Sequence, residues 1–258
     1  MTTDAPMFVP PSDLDPVERA MGYPYAIPDC SFVFDKTGGD KTGWRPAEIG
    51  GALTAGRHPV IACGSNRSPD QLARKYFDFD AATIPVQRAW LRGFDVVYAA
   101  HITGYGAISA CPMPAPGVRV EVSVVWLSDD LMDRMHATEG RGHAYDYAVL
   151  SGLDLALDGG GGLDEAFAYI HRGGALNVGG GTVGLAEVAA TGRACPSWLQ
   201  PRAIAEVLRR LEYRGTVEDF IRENAADRVL RLAREAVLQQ DAHPFAYGGC
   251  RVVPPETG

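Results

Sequence analysis

The chain has 258 residues, 46% of them hydrophobic and 22% charged, which is the make-up of a folded globular protein and excludes a disordered one. A net charge of −8 with no block of Lys and Arg argues against nucleic acid as the main partner. Five scattered cysteines (Cys30, Cys63, Cys111, Cys195 and Cys250) with no C-x-x-C pair argue against a disulfide framework or a structural zinc site, and fit a reducing cytoplasm.

Residues 1–20 carry Asp4, Asp13, Asp15 and Glu18 and no apolar block, so no signal peptide is expected. Residues 1–55 are rich in Pro, Gly and Asp and show little periodicity. They read as an extension packed over the main domain, with one helical turn near residues 16–21. Thr37-Gly-Gly-Asp-Lys-Thr42 invites comparison with a phosphate loop, but Asp40 stands where that pattern needs Gly, and position 35 is Asp. A surface turn is the reading.

The apolar run 59–63 predicts a buried strand. It breaks at Gly64-Ser65-Asn66, and a helix follows over 69–77 with Ser68 as N-cap and Pro69 at the first helical position. Strand, small polar loop and helix start aim several backbone N–H groups at one point, a seat for a carboxylate or phosphate. Gly64 lets the backbone approach a ligand closely. An ordinary strand-to-helix turn uses the same residues, so the loop alone leaves both readings open.

Strands are expected over 84–91, 94–100 and 104–111, each bounded by Gly, Pro or Asp. The next, 118–127, sets Val118, Val120, Val122 and Val124 on one face, and its densest run is far too short to span a membrane. Ser128 caps a helix with Asp129 and Asp130 in its first turn, Leu131, Met132 and Met135 on its apolar face, and Gly140 as C′ residue. Strands over 145–150, 153–157 and 166–171 follow, with the Gly159–Gly162 run as a hairpin tip. Residues 173–186 read as a mobile glycine-rich loop beside a barrel mouth, without a G-x-G-x-x-G fingerprint. Two amphipathic helices are expected over 201–211 and 217–239, the second on the spacing of Phe220, Ile221, Val229, Leu232, Ala236 and Val237. The sum is an α+β fold on a small mixed sheet or barrel.

Glu139 is the candidate acid/base. It ends a helix near the negative pole of the dipole, a placement that pushes a carboxyl pKa up, and a Glu tuned toward neutrality can take and return a proton. A solvated last-turn Glu is the bland alternative.

Cys63-Gly-Ser-Asn66 after a strand and Met135-His-Ala-Thr-Glu139-Gly140 after a capped helix, with the strands between them and Tyr145-Asp-Tyr147 beyond, resemble the gamma-glutamylcyclotransferase-like family over roughly residues 57–175. The resemblance implies a small mixed β-barrel flanked by helices, arranged as an N-terminal extension (1–56), a family domain (57–214) and a C-terminal helix and tail (215–258). It implies that Cys63, Gly64, Ser65, Asn66 and Tyr145 bind substrate and that Glu139 is catalytic. The implied chemistry is cyclisation of a γ-glutamyl amide to 5-oxoproline with release of the amine, a transferase- or lyase-type reaction. No metal or cofactor is implied. The implied partner is a small-molecule γ-glutamyl substrate, with no nucleic acid and no membrane, and a homodimer is left open. Cys63 departs from the family's usual Tyr, which affects substrate preference.

Rival readings are weaker. A nucleophile elbow around Ser65 would need Gly at 63 and 67, where the chain has Cys63 and Arg67. Cys63 or Cys111 could serve a cysteine hydrolase, but nothing singles out a partner histidine. His58, His101, His136, His143, His171 and His243 show no metal-ligand spacing, and His143 is a surface residue or a pocket-lining one. The rival from another class is a non-catalytic binding or interaction protein on the same fold.

Overall fold

The computed structural model describes residues 12–37 and 42–254. Residues 38–41, the centre of the phosphate-loop lookalike, lie outside them. Helix α1 (Pro16–Met21) starts where expected, with the Val17 N–H donating to the Asp15 carboxylate at 2.9 Å. Strands β1 (Phe32–Thr37) and β2 (Thr42–Pro46) form a hairpin inside the stretch read as irregular. A single turn, α2 (Gly51–Thr54), leads to β3 (His58–Ala62), and a 3-10 turn (Ser65–Arg67) leads to α3 (Pro69–Lys75).

Next come β4 (Ala81–Ile102) and β5 (Ile108–Leu127), one long hairpin where four shorter strands were expected. Gly93, at φ +78°, takes up a bulge between Arg92 and Phe94, so the punctuation bends the strand without ending it. Residues 104–107 form the turn. Helix α4 (Asp129–Glu139) ends as read, on Gly140 in the left-handed region at φ +60°. Strand β6 (Tyr145–Leu157) merges two expected strands across Gly152, at φ +73°, and β7 (Gly162–His171) returns beside it.

Short strands β8 (Gly184–Leu185), β9 (Ala190–Thr191) and β10 (Ser197–Trp198) precede α5 (Gln200–Arg210). The expected mobile loop 173–186 is packed down instead. Leu176 and Val183 are buried, the Leu176 N–H donates to the Tyr98 carbonyl at 2.8 Å, and the Tyr98 N–H donates to the Val183 carbonyl at 3.0 Å. The single expected helix 217–239 is two, α6 (Val217–Ala226) and α7 (Arg228–Gln239). They break at Asp227, whose extended backbone lets its side chain cap Leu230 N–H. The periodicity continued through the break because Val229, Leu232 and Val237 are apolar, yet all three are exposed. Strand β11 (Cys250–Val252) pairs with β6.

The barrel is closed and five-stranded. Its order is β4-β5-β3-β7-β6, and β6 pairs back onto β4 from Ala89↔Leu157 to Arg92↔Asp154. The β3–β7 pair is parallel and the others antiparallel, so the sheet is mixed, as expected of the α+β class. Strand β5 shows the alternation in use. Val120, Val122 and Val124 join Leu91, Ala148 and Ala168 in one core cluster, while Val125 and Leu127 join Leu72, Tyr76, Leu131 and Met135 in another. The second cluster seats α3 and α4 side by side, each buried Leu or Met contributing about 1.5–3 kcal/mol. That seating fixes the site, because it sets the C-terminus of α4 beside the loop leaving β3.

Candidate active site

The loop after β3 is anchored from below. Arg67 is 1% exposed and pairs with Glu121, and its Nε donates to Ser123 Oγ at 3.3 Å. Arg88 holds the other Glu121 oxygen, donating through Nε at 3.0 Å. With Arg67 fixed, the turn's own bonds are Arg67 N–H to the Gly64 carbonyl (3.2 Å) and Ser68 N–H to the Ser65 carbonyl (2.9 Å). The amides of Ser65 and Asn66 precede these and have no partner within the turn. Ser68 precedes Pro69 as read, but its hydroxyl makes no capping bond.

A cavity of about 100 Å³ opens over this loop. Its lining includes all six residues singled out in the sequence: Cys63, Gly64, Ser65, Asn66, Glu139 and Tyr145. Asn66 Nδ2 donates to Glu139 Oε1 at 3.0 Å, joining loop and helix end directly. Tyr145 and Ser109, both in the lining, share a hydroxyl hydrogen bond of 3.0 Å.

The electrostatics correct the expectation for Glu139. Burial does push its carboxyl up, but the Lys75 ammonium, which donates to Oε1, the Asn66 amide and the nearby His101 together outweigh burial and hold the pKa below its ordinary 4.5. Lys75 sits at the end of α3 and is 2% exposed, and burial lowers its own pKa against the pull of Glu139. Glu139 is therefore ionised at neutral pH. The helix-end argument omitted a cation 64 positions away in sequence, delivered by the packing of α3 on α4.

Cys63 is pushed up to about 12 by burial, with the Glu139 charge adding and Arg67 opposing. Burial raises the Cys111 thiol as well. Both are thiols at neutral pH, which counts against a cysteine nucleophile.

Sequence reading missed Tyr23 as well as Lys75. Tyr23 follows α1 and is 4% exposed, and its hydroxyl accepts the Ala110 N–H at 2.8 Å in the cavity wall. A Cβ placed on Gly64 would lie 2.2 Å from the Tyr23 oxygen. Gly64 is therefore required by a residue some forty positions upstream, a link that no local motif carries. Gly64→Ala is expected to cost about 1–3 kcal/mol by overpacking. In a Tyr23→Phe background, which removes the clashing oxygen, most of that cost disappears. Urea unfolding of the four proteins of this cycle checks it.

No family model and no curated protein matches the chain. Among solved structures, a chain described as gamma-glutamyl cyclotransferase superposes with a TM-score of 0.36 at 14% identity, covering 75% of this chain and 92% of that one. That superposition is loose. Among the described residues no helix is long and apolar enough to cross a membrane.

Proposed function

We propose that this protein cyclises a γ-glutamyl amide to 5-oxoproline and releases the amine, with Glu139 moving the proton. The observation that supports the reading is a buried, ionised carboxylate at the cavity, bonded to the Asn66 side chain of a loop, residues 63–66, that lines the same space. The loop holds the glutamyl end. The substrate's α-ammonium gives a proton to Glu139, and the freed nitrogen attacks its own γ-carbonyl. The ring nitrogen of the tetrahedral intermediate gives up its second proton to solvent, the intermediate collapses, the C–N bond to the departing amine breaks, and Glu139 returns its proton to that amine. Atoms balance, with one amide bond formed and one broken. A carboxyl held low by Lys75 is a weak base but a willing acid, which favours the second transfer. Enclosure in the cavity keeps the chain folded for attack on itself.

The experiment is a product balance. The full chain is incubated with a panel of γ-glutamyl amides, and 5-oxoproline and free amine are quantified together. Equal amounts of both from at least one member are expected. Glutamate in place of 5-oxoproline would mean hydrolysis and overturn the cyclisation.

The Lys75–Glu139 pair also favours a second reading, a non-catalytic binding protein in which the pair is structural. That reading expects γ-glutamyl compounds to bind without turnover.

A further inference from the structure

A second cavity, of about 410 Å³, lies behind the first. The barrel end supplies its floor, with His101 from β4, His171 from β7 and the turn at 142–144. One face of α7 supplies its wall, where Arg228, Arg231, Leu232 and Glu235 follow helical spacing. His101 is common to both linings, so the two cavities adjoin at its side chain.

The lining charge is opposite to that of the chain. Arg172, Arg228 and Arg231 face the cavity, and Glu235 is its one carboxylate, in a protein of net charge −8. Glu235 is directed at the barrel, where its Oε1 accepts the Ile102 N–H at 3.1 Å and lies 3.2 Å from His101 Nδ1. Arg231 is 6% exposed and donates through Nη1 to the Asn224 carbonyl. Arg172 donates to the Gly142 carbonyl and lies 3.6 Å from Asp146. Arg228 is engaged as well, and since a guanidinium carries five N–H donors, one or two contacts do not exhaust it. His171, pushed down to about 3 by burial and by His101, brings no charge of its own at neutral pH. Three guanidiniums around one hollow match the fork geometry of an oxyanion.

We propose that this second cavity is an anion site for a carboxylate or phosphate group, one side chain away from Glu139. The group has two sources. It is the far end of a substrate whose departing amine carries an acid, an assignment that rests on the reaction proposed above, or it is a separate small anion, which does not.

The test is calorimetry at low ionic strength on the full chain, with inorganic phosphate and succinate as probes. Arg172 and Arg228 are exposed, so Arg172→Ala/Arg228→Ala leaves the core intact. Wild type binds at least one probe, the double variant loses affinity by roughly tenfold or more, and Glu139→Gln binds as wild type does. No binding by wild type, or undiminished binding by the double variant, overturns the site whether or not 5-oxoproline is ever released. Kinetics then name the source. A substrate source predicts that the double variant raises KM for γ-glutamyl-alanine and spares γ-glutamyl-ethylamide, with phosphate competing against the first. A separate anion predicts that both KM values hold in the double variant although its probe binding is weakened.

Discussion

Lys75→Met is expected to destabilise the protein by about 3–5 kcal/mol at pH 7, because it leaves a buried carboxylate without its cation. Both partners lie inside, with side chains 3% and 15% exposed, so solvent does little to screen the pair. The cost depends on pH, and its sign follows from Glu139. In wild type the folded pKa is depressed, so the group contributes stability that is present above its ordinary 4.5 and is lost as pH falls through the lower folded value. Without Lys75, burial acts with only Asn66 and His101 against it, and the folded pKa rises. The variant then gains relative stability on acidification, as Glu139 takes a proton and becomes neutral. Urea unfolding at pH 7 and pH 5 checks this, the gap between variant and wild type being smaller at pH 5. An equal gap at both values would mean that Lys75 acts through packing alone. The same variant moves the acid limb of any activity profile to higher pH.

What was legible in the sequence was what chain order makes local. The β3 loop and the α4 end could be read because each is a short motif at an element boundary, and the barrel brings those two boundaries together. Glycines misled in proportion to how strictly they were read as ends. Gly93 and Gly152 sit inside continuous strands, where a positive φ accommodates a bulge and curves the barrel. The α6–α7 break went unseen because Asp227 does the work with neither Gly nor Pro beside it. Residues 32–46 lacked alternation, yet β1 follows β4 from Phe32↔Val86 to Thr37↔Ala81, so tertiary pairing overrode weak local preference. Lys75 and Tyr23 were invisible for a related reason. No motif marks Lys75, and Tyr23 falls within the stretch read as an irregular extension, and only packing places them against Glu139 and Gly64.

The most direct measurement is 5-oxoproline release by wild type and Glu139→Gln side by side, with folding verified by circular dichroism. The amide keeps an oxygen for Asn66 and Lys75 while removing the group that carries the proton. Lys75, already lowered by burial, can shed its own charge and so soften the structural cost. The account predicts release by wild type and a loss of about 10²–10⁴-fold in the variant, the scale of a missing general acid/base, with substrate still bound. Equal release from both proteins, or binding by wild type with no release at all, would contradict it.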